Sequence, residues 1–194
     1  PPLSAGLYTA ICYGLIDLGF QRVKFQNQPE SLKRKIMLLF EVQGEFIETT
    51  EGEKLPRVIS KQFNLSLHPK SSLHKMLLVW RAQPFSETDL KNGFDLRLMV
   101  GQPAQLSISN SPGSNGKTYA NIDAIIPVPK GTPAIYPTQM MIFDLDDKDT
   151  HDVFGVLPPW IQNIIQKSES YYLLNSDDKP WATVTDDTDT DKLY

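Results

Sequence analysis

The sequence predicts a mainly β fold, a small barrel of five strands with one helix between the third and fourth strands, followed by a C-terminal extension. Segments rich in β-branched and aromatic residues recur through residue 126. Clusters of Gly, Pro, Asn and Ser separate these segments, as expected for turns. One segment in this region has the three- and four-residue apolar spacing of an amphipathic helix.

The β-rich segments give the expected strands in order. Strand one is expected at residues 7–18, strand two at 33–42 and strand three at 56–67. Arg57, Lys61 and Phe63 have the same parity within strand three, so they are expected to share one face of the sheet. Strand four is expected at residues 104–109 and strand five at 117–126, and Asn115-Gly116 between them is a hairpin signal.

The expected helix follows strand three. Ser71 or Ser72 can cap it, and its apolar stripe consists of Leu73, Met76, Leu77 and Trp80. A short capped turn is expected at residues 86–90. Three strands, a helix and two strands is the order of the OB barrel. An unrelated five-stranded sheet with one covering helix has the same order and stays an alternative.

Three regions are predicted along the chain. Residues 1–137 are expected to form the OB-fold domain, and residues 138–175 are expected to form an extension that packs on the barrel or on a partner. Within the extension, residues 140–143 are expected as an added strand or a sheet edge, and residues 158–165 as a short helix that begins with Pro. Residues 176–194 are rich in Asp and Thr and are expected to form an acidic disordered tail.

The charge is divided unevenly between the two parts of the chain. Residues 1–143 contain 15 basic and 11 acidic side chains, whereas residues 144–194 contain 4 basic and 12 acidic ones. A basic body suits a polyanionic ligand, and an acidic tail suits basic proteins or competes with that ligand. Nucleic acid is therefore the leading candidate partner.

Several functional classes have no support in the sequence. His68, His74 and His151 lack metal-ligand spacing, and the acidic run at residues 144–149 lacks the Gly and Glu of a calcium loop, so it is expected to be a solvated loop. Phosphate-binding glycine loops and nucleophile elbows are absent from the sequence. We therefore predict no metal, no cofactor and no enzymatic activity.

The expected location is the cytoplasm. No apolar run is long enough to span a membrane, and the first residues lack the pattern of a secretion signal. The single cysteine, Cys12, cannot form an internal disulfide and is expected to be an inert packing residue.

Cations beside aromatic residues recur on the predicted strands and their loops. Phosphates require positive charge, and exposed bases stack on aromatic rings, so this combination is typical of proteins that bind single strands. In an OB barrel, strands two and three and the loops joining strands one to two and four to five form the usual binding face. The predicted nucleic-acid-binding residues at these places are Lys24, Phe25, Arg34, Arg57, Lys61, Phe63, Lys117 and Tyr119.

Several segments resemble a known family. The most specific are Lys-x-Phe-x-x-Ser-Leu at residues 61–67 and Lys-Thr-Tyr-Ala-Asn-Ile at residues 117–122. The helix ending in Trp80-Arg81, the Phe-Asp-Leu turn at residues 94–96 with Gly101, and Pro-Val-Pro-Lys-Gly at residues 127–131 accompany them. Together they resemble OB-fold single-stranded DNA-binding proteins encoded by bacteriophages, over about residues 6–131.

This resemblance implies protection of single-stranded DNA during phage replication or recombination, without catalysis, in the cytoplasm of the host cell. It also implies that Lys61, Phe63, Lys117 and Tyr119 face the ligand. The acidic tail is similar in kind to the tails with which bacterial single-stranded DNA-binding proteins recruit partners, although those end in Pro-Phe and this chain ends in Lys192-Leu193-Tyr194.

The predicted function is sequence-independent binding of single-stranded DNA in a basic groove. The expected partners are single-stranded DNA and, through the acidic tail, replication or recombination proteins, with no membrane. The sequence is also compatible with a homo-oligomer. One alternative is an OB-fold interaction or scaffold module that binds no nucleic acid, and a weaker one is a nucleic-acid enzyme.

Overall fold

The computed structural model describes residues 1–24, 26–27 and 29–175, and it confirms the mainly β fold. Its sheet consists of β1 (Gly6–Val23), β2 (Ser31–Glu48), β3 (Lys54–Asn64), β4 (Pro103–Pro112), β5 (Thr118–Ile126) and β6 (Met141–Phe143). The first five strands lie in the antiparallel order β3-β2-β1-β4-β5, and β6 pairs in parallel with β1. Because no ladder joins β3 to β5 among the described residues, the closed five-stranded barrel is not confirmed.

Four α-helices and two 3₁₀ helices complete the described chain. They are α1 (Ser72–Arg81), α2 (Glu87–Asn92), α3 (Pro159–Gln166) and α4 (Glu169–Asn175), with 3₁₀ helices at Leu96–Met99 and Lys148–Val156. The predicted helix between the third and fourth strands, the capped turn after it and the Pro-initiated helix of the extension are all confirmed. The acidic tail predicted at residues 176–194 lies outside the described residues.

The strands β1 and β2 are each 18 residues long, and both exceed the predicted spans. They pair across two register shifts, one at Gly14 and one at Gly19. A Cβ atom at Gly14 would lie 2.8 Å from the Leu39 side chain, so the glycine permits close approach of β2. Gly19 has a φ of +71° and faces Leu145 of the extension, so both its backbone conformation and its contact require glycine.

Helix α1 closes one side of the principal core. The Ser71 side chain accepts a hydrogen bond from the His74 amide at 3.1 Å, which caps the helix. Leu73 and Leu77 are fully buried, and burial of each contributes about 2 kcal/mol. Trp80 donates to the Pro103 carbonyl at 2.8 Å and so joins the helix to the start of β4.

The extension packs against the opposite face of β1 and β2 and forms a second apolar core. Ile16 and Leu18 of β1 contribute to this core with Met37 and Leu39 of β2, and the extension adds Phe143, Leu145, Leu157, Ile161 and Ile165. Alternate residues of β1 and β2 therefore face two different cores. This explains why both strands are apolar on successive residues rather than alternately polar.

The pairing of β1 with β4 ends at Ile11, and the extension covers the edge of β1 beyond that residue. Strand β6 pairs with residues 14–16, which confirms the prediction of an added strand. Farther along, the Phe20 amide donates to Ser170 Oγ at 2.9 Å, and Gln21 Nε2 donates to the Ile164 carbonyl at 2.9 Å. These contacts satisfy an edge that would otherwise be open to pairing with another chain.

A buried ion-pair network joins the extension to the sheet. Asp17 is 2 % exposed and accepts from Arg34 Nη2 at 2.7 Å and from the Leu145 amide at 3.2 Å. The same Arg34 group contacts Asp146 at 2.8 Å and Asp144 at 3.7 Å. The acidic run expected to be a solvated loop is therefore partly buried and paired with arginines.

Arg97 extends this network. Its Nη2 lies 3.0 Å from Asp144 and 2.9 Å from Asp147. Desolvation opposes the charge of Arg97, but the hydrogen bonds to the two carboxylates outweigh it and raise the pKa of the guanidinium. The network therefore connects β1, β2, the 3₁₀ helix at Leu96–Met99 and the extension through charge-assisted hydrogen bonds.

Substituting Asp17→Ala should lower the free energy of unfolding by about 3 kcal/mol, because it removes a buried carboxylate that accepts from Arg34 and from the Gly19 and Leu145 amides. Urea denaturation at pH 7 measures this change. Asp152→Ala is the matched control, since Asp152 is exposed, and it should change stability by less than about 0.5 kcal/mol. Equal small effects of the two substitutions would contradict the structural role of the network.

Alkaline pH should destabilise the fold through two neighbouring groups of β1. Burial raises the pKa of the Cys12 thiol to about 12, and burial with repulsion from Glu41 raises the pKa of Tyr13 to about 12. The unfolded groups ionise near 9.0 and 10.0. The stability contributed by the neutral groups is thus complete below about pH 9 and is lost as the pH rises towards 12.

Urea denaturation between about pH 8 and pH 11 measures this loss. Alkylation of Cys12, the single cysteine of the chain, gives an independent measure. The native thiol should react far more slowly at pH 8 than the denatured thiol. Rapid alkylation without denaturant would contradict the burial of Cys12.

Candidate nucleic-acid interface

The register of the sheet divides the predicted binding residues between its two ends. Lys24 and Arg34 lie at the end where β1 passes into β2. Arg57, Lys117 and Tyr119 lie towards the end where β1 begins and where β4 turns into β5. The residues therefore do not form one compact pocket, and the two groups are separated along β1.

Three of the predicted residues are occupied by other contacts or lie outside the described chain. Arg34 is held by carboxylates of the buried network, with its side chain 19 % exposed. Phe63 is 4 % exposed and belongs to the principal core. The structure does not describe Phe25.

The expected shared face of β3 points inwards. Arg57, Lys61 and Phe63 alternate with exposed Val58 and Gln62. The face carrying the first three is the one that approaches β5 and the principal core. The alternation of side chains along a strand correctly placed these residues on one face. It did not indicate whether that face is turned towards solvent or towards the core.

Lys61 bridges the two strands at the ends of the strand order. Its Nζ donates a hydrogen bond to the Ile122 carbonyl of β5 and lies 5.9 Å from the centre of the Phe63 ring. The gap between β3 and β5, which we call the seam, is therefore spanned by a side chain at this point. Lys61 serves the fold through this contact.

A groove of about 280 Å³ lies at the seam, between β3, β5 and the N-terminal segment. Arg57, Ser60 and Ala120 line it together with the N-terminal segment. Arg57 Nη1 donates to the Pro1 carbonyl at 2.5 Å, whereas its Nε is buried and has no hydrogen-bond partner among the described residues. The buried Nε is not accessible to a molecule in the groove, so what Arg57 offers an anion there is the positive charge of its guanidinium.

The β4–β5 hairpin places an aromatic ring and a cation near this end of the sheet. Tyr119 is 46 % exposed, and its hydroxyl accepts from Asn115 Nδ2 at 2.7 Å. The ring packs on Gly113, where any Cβ atom would collide with it. Lys117 is exposed in the turn, so the hairpin presents an oriented ring beside a mobile positive charge.

The loop between β1 and β2 presents a second group of cations. Lys24 and Lys33 are exposed, and Lys35 is partly exposed. Arg22 in the same region is paired with Glu169 and lies 3.6 Å from Glu30. The lysines therefore remain the cations at this end without a carboxylate partner among the described residues.

Sequence reasoning missed the small residues that shape the interface. Gly113 and Ala120 contribute space rather than a functional group, and Leu3 reaches the groove from the N-terminal segment. No local pattern marks these positions, because they meet only after the strands are arranged. The turn signal at residues 110–116 indicated a hairpin but not a ring packed on its glycine.

Metal and membrane sites have no support in the described chain. No group of three or more metal-binding side chains occurs among residues 1–24, 26–27 and 29–175. Over the same part of the chain, no helix is both long enough and apolar enough to cross a membrane. His74 and His151 each contact backbone carbonyls instead, with Nδ1 of His74 lying 2.7 Å from the Leu67 carbonyl.

Comparisons with known proteins give no relative. No protein-family model matches the chain, and neither curated proteins nor solved structures give a significant match. The functional argument therefore rests on the geometry of the described residues.

Substituting Lys61→Met should lower the free energy of unfolding by about 1–2 kcal/mol, because it removes the donor to Ile122 while keeping an apolar stem over Phe63. Urea denaturation measures the loss, and hydrogen exchange should be faster in β5. The matched control is Lys54→Met, at an exposed position of the same strand. Identical unfolding of both variants would show that the bridge contributes nothing.

Proposed function

We propose that the chain is an OB-type barrel that binds single-stranded DNA independently of sequence and without catalysis. The observation that carries this proposal is the groove at the β3–β5 seam, which Arg57 lines, together with the β4–β5 hairpin that presents Lys117 and Tyr119 towards the same end of the sheet. A strand bound there would contact phosphates through the cations and stack a base on the tyrosine.

The strand order supports the proposal that the sheet is an OB-type barrel. A barrel of this type requires that the first strand pair with the second and fourth and that the third approach the fifth. The described order β3-β2-β1-β4-β5 meets the first requirement, and the Lys61 bridge to Ile122 supports the second. The helix α1 packs against both β3 and β5, at the end where a barrel needs a plug.

The chemistry of the groove favours a single strand over a duplex. A duplex buries its bases in the stack, so a lone exposed ring such as Tyr119 gains little from it. A single strand can splay one base onto that ring and place a neighbouring phosphate near Arg57. Contacts of this kind are to the backbone and to ring faces, which all sequences share.

The acidic residues 176–194 enter this proposal through their charge alone. We propose that they contact basic replication or recombination proteins or compete with DNA for the cations of the body. Removal of these residues should tighten DNA binding at low salt if they compete. Unchanged affinity would leave only the partner-contact role.

Fluorescence anisotropy with labelled oligo-dT, titrated with salt, tests the proposed function. Tight binding that weakens steeply with salt is expected, with much weaker binding to a duplex of matched length. Arg57→Ala should reduce the slope of log affinity against log salt by about 0.7, the value for one lost contact to a single strand. Tyr119→Ala should weaken binding by about 1–3 kcal/mol, whereas Tyr119→Phe retains the stacking ring.

Two variants complete the design. Gly113→Val should weaken oligo-dT binding as Tyr119→Ala does, because it displaces the ring without removing it. Lys75→Ala, at an exposed position of α1, is the matched loss of one charge away from the groove and should leave the slope nearly unchanged. Absence of oligo-dT binding by the wild-type chain at low salt would reject the function and favour an interaction module.

A further inference from the structure

The end of the β2–β3 hairpin is a two-stranded ribbon that leaves the sheet. The β1–β2 ladder ends at the pair Ala10 and Val42, so β2 continues without β1 as a neighbour. The β2–β3 register then skips to Phe46 opposite Pro56 and runs to Glu48 opposite Lys54. We call residues 43–56 the arm.

Apolar side chains occupy both faces of the arm and lie largely in solvent. Phe46 is 56 % exposed on the face of Pro56, and Ile47 and Leu55 are 44 % and 38 % exposed on the other face. Just beyond the arm, Val58 is 52 % exposed. A ribbon of two strands is at best marginally stable without a covering surface, so these residues indicate that the arm docks against another molecule.

The charge of the arm restricts the identity of that molecule. The arm contains four carboxylates and one amine, and all five side chains are exposed or partly exposed: Glu45, Glu48, Glu51, Glu53 and Lys54. This net negative charge repels the phosphates of a nucleic acid. It also opposes a symmetric contact between two arms, because like charges would face each other.

The other end of the same hairpin has the complementary properties. Lys24, Lys33 and Lys35 supply three positive charges that lack carboxylate partners among the described residues. Leu32 between them is 45 % exposed. The pairing of β3 stops at Lys35, so the outer edge of β2 at residues 31–33 has no strand partner in the described chain. We call this surface the loop end.

We infer that the arm of one copy of this chain docks on the loop end of a second copy. The net charge of −3 on the arm would face the three lysines of the loop end. Phe46 or Leu55 of the arm would cover Leu32 of the second copy. The unpaired backbone edge of the arm would face the unpaired backbone edge of β2 at residues 31–33. A second copy of the chain therefore supplies cover for the apolar side chains, the opposite charge and a partner for the open strand edge.

The two surfaces lie at opposite ends of β2, so this contact is head-to-tail. A head-to-tail contact that does not close into a ring produces an open linear array of copies. The inference does not depend on DNA binding, and it can hold or fail whether or not the proposed function is correct.

Analytical ultracentrifugation of the full chain without DNA tests the inference. The wild-type chain should show concentration-dependent species larger than a dimer at about 50 mM salt, and they should diminish at about 500 mM salt. The arm variant Phe46→Ser/Leu55→Ser and the loop-end variant Lys33→Glu/Lys35→Glu should each raise the apparent dissociation constant at least about tenfold. Circular dichroism should confirm that these surface variants are folded.

Mixing the two variants distinguishes head-to-tail contact from other arrangements. The arm variant retains an intact loop end and the loop-end variant retains an intact arm, so the mixture should form one-to-one dimers and nothing larger. The control Lys70→Glu/Lys75→Glu places the same charge change on exposed residues near α1 and should assemble as the wild type does.

Three results would overturn the inference. The first is a wild-type chain that remains monomeric up to roughly 0.1 mM at low salt. The second is a loop-end variant that dimerises by itself, which would indicate arm-to-arm contact. The third is an arm variant that assembles normally but loses oligo-dT binding, which would assign the arm to DNA.

Discussion

The bidentate pair between Asp17 and Arg34 is the interaction on which the arrangement of this chain depends. Asp17 lies in the second half of β1, one of the two longest strands, and accepts from the Gly19 amide at 2.9 Å, from Leu145 and from Arg34. It therefore fixes a register shift of β1, the start of β2 and the first turn of the extension together. A buried carboxylate is unfavourable unless all its acceptors are used, so each of these segments restricts the position of the others.

Further ion pairs account for part of the uneven charge of the sequence. Four carboxylates of the extension pair with three arginines of the body, Arg22, Arg34 and Arg97, although the Asp146 side chain stays half exposed. The cations that make no salt bridge among the described residues are the lysines, Arg57 and Arg81. Long flexible lysines hold phosphates as point charges, with little geometric selection. Such a surface suits the sequence-independent binding that we propose more than readout of specific bases.

The elements of the fold could be predicted because local patterns specify them. The capped helix with Leu73, Leu77 and Trp80 on one stripe and the hairpin at Asn115-Gly116 each depend on neighbours within a few residues. Strand lengths were less predictable, because Gly14 and Gly19 interrupt a strand pattern in the sequence but serve as points of close approach in three dimensions. The contact between β3 and β5 was not predictable from local patterns, since it is made by the Lys61 side chain, which reaches across the seam to the Ile122 carbonyl.

Some residues of the candidate site could be predicted from the sequence, but their positions relative to one another could not. Arg57, Lys117 and Tyr119 lie around the groove and hairpin, whereas Arg34 is held by carboxylates distant in sequence and Phe63 is in the core. The surroundings of Arg34 and Phe63 are formed by segments far away in the sequence, so the residues next to them in the chain do not reveal these surroundings. The arm shows the converse case: its apolar residues fit an ordinary strand pattern, and only the departure of β1 leaves them in solvent.

The position of the extension in the chain has a consequence for synthesis on the ribosome. The Leu145 amide that completes the Asp17 cluster lies 128 residues further along, and Ile161 and Ile165 follow later still. Until they emerge, the outer apolar face of β1 and β2 and the edge of β1 are uncovered on the nascent chain. Chaperones recognise surfaces of this kind, and nascent chains carrying them associate with one another. Pausing of translation before residue 141 would therefore prolong the interval in which this protein is most prone to misassemble.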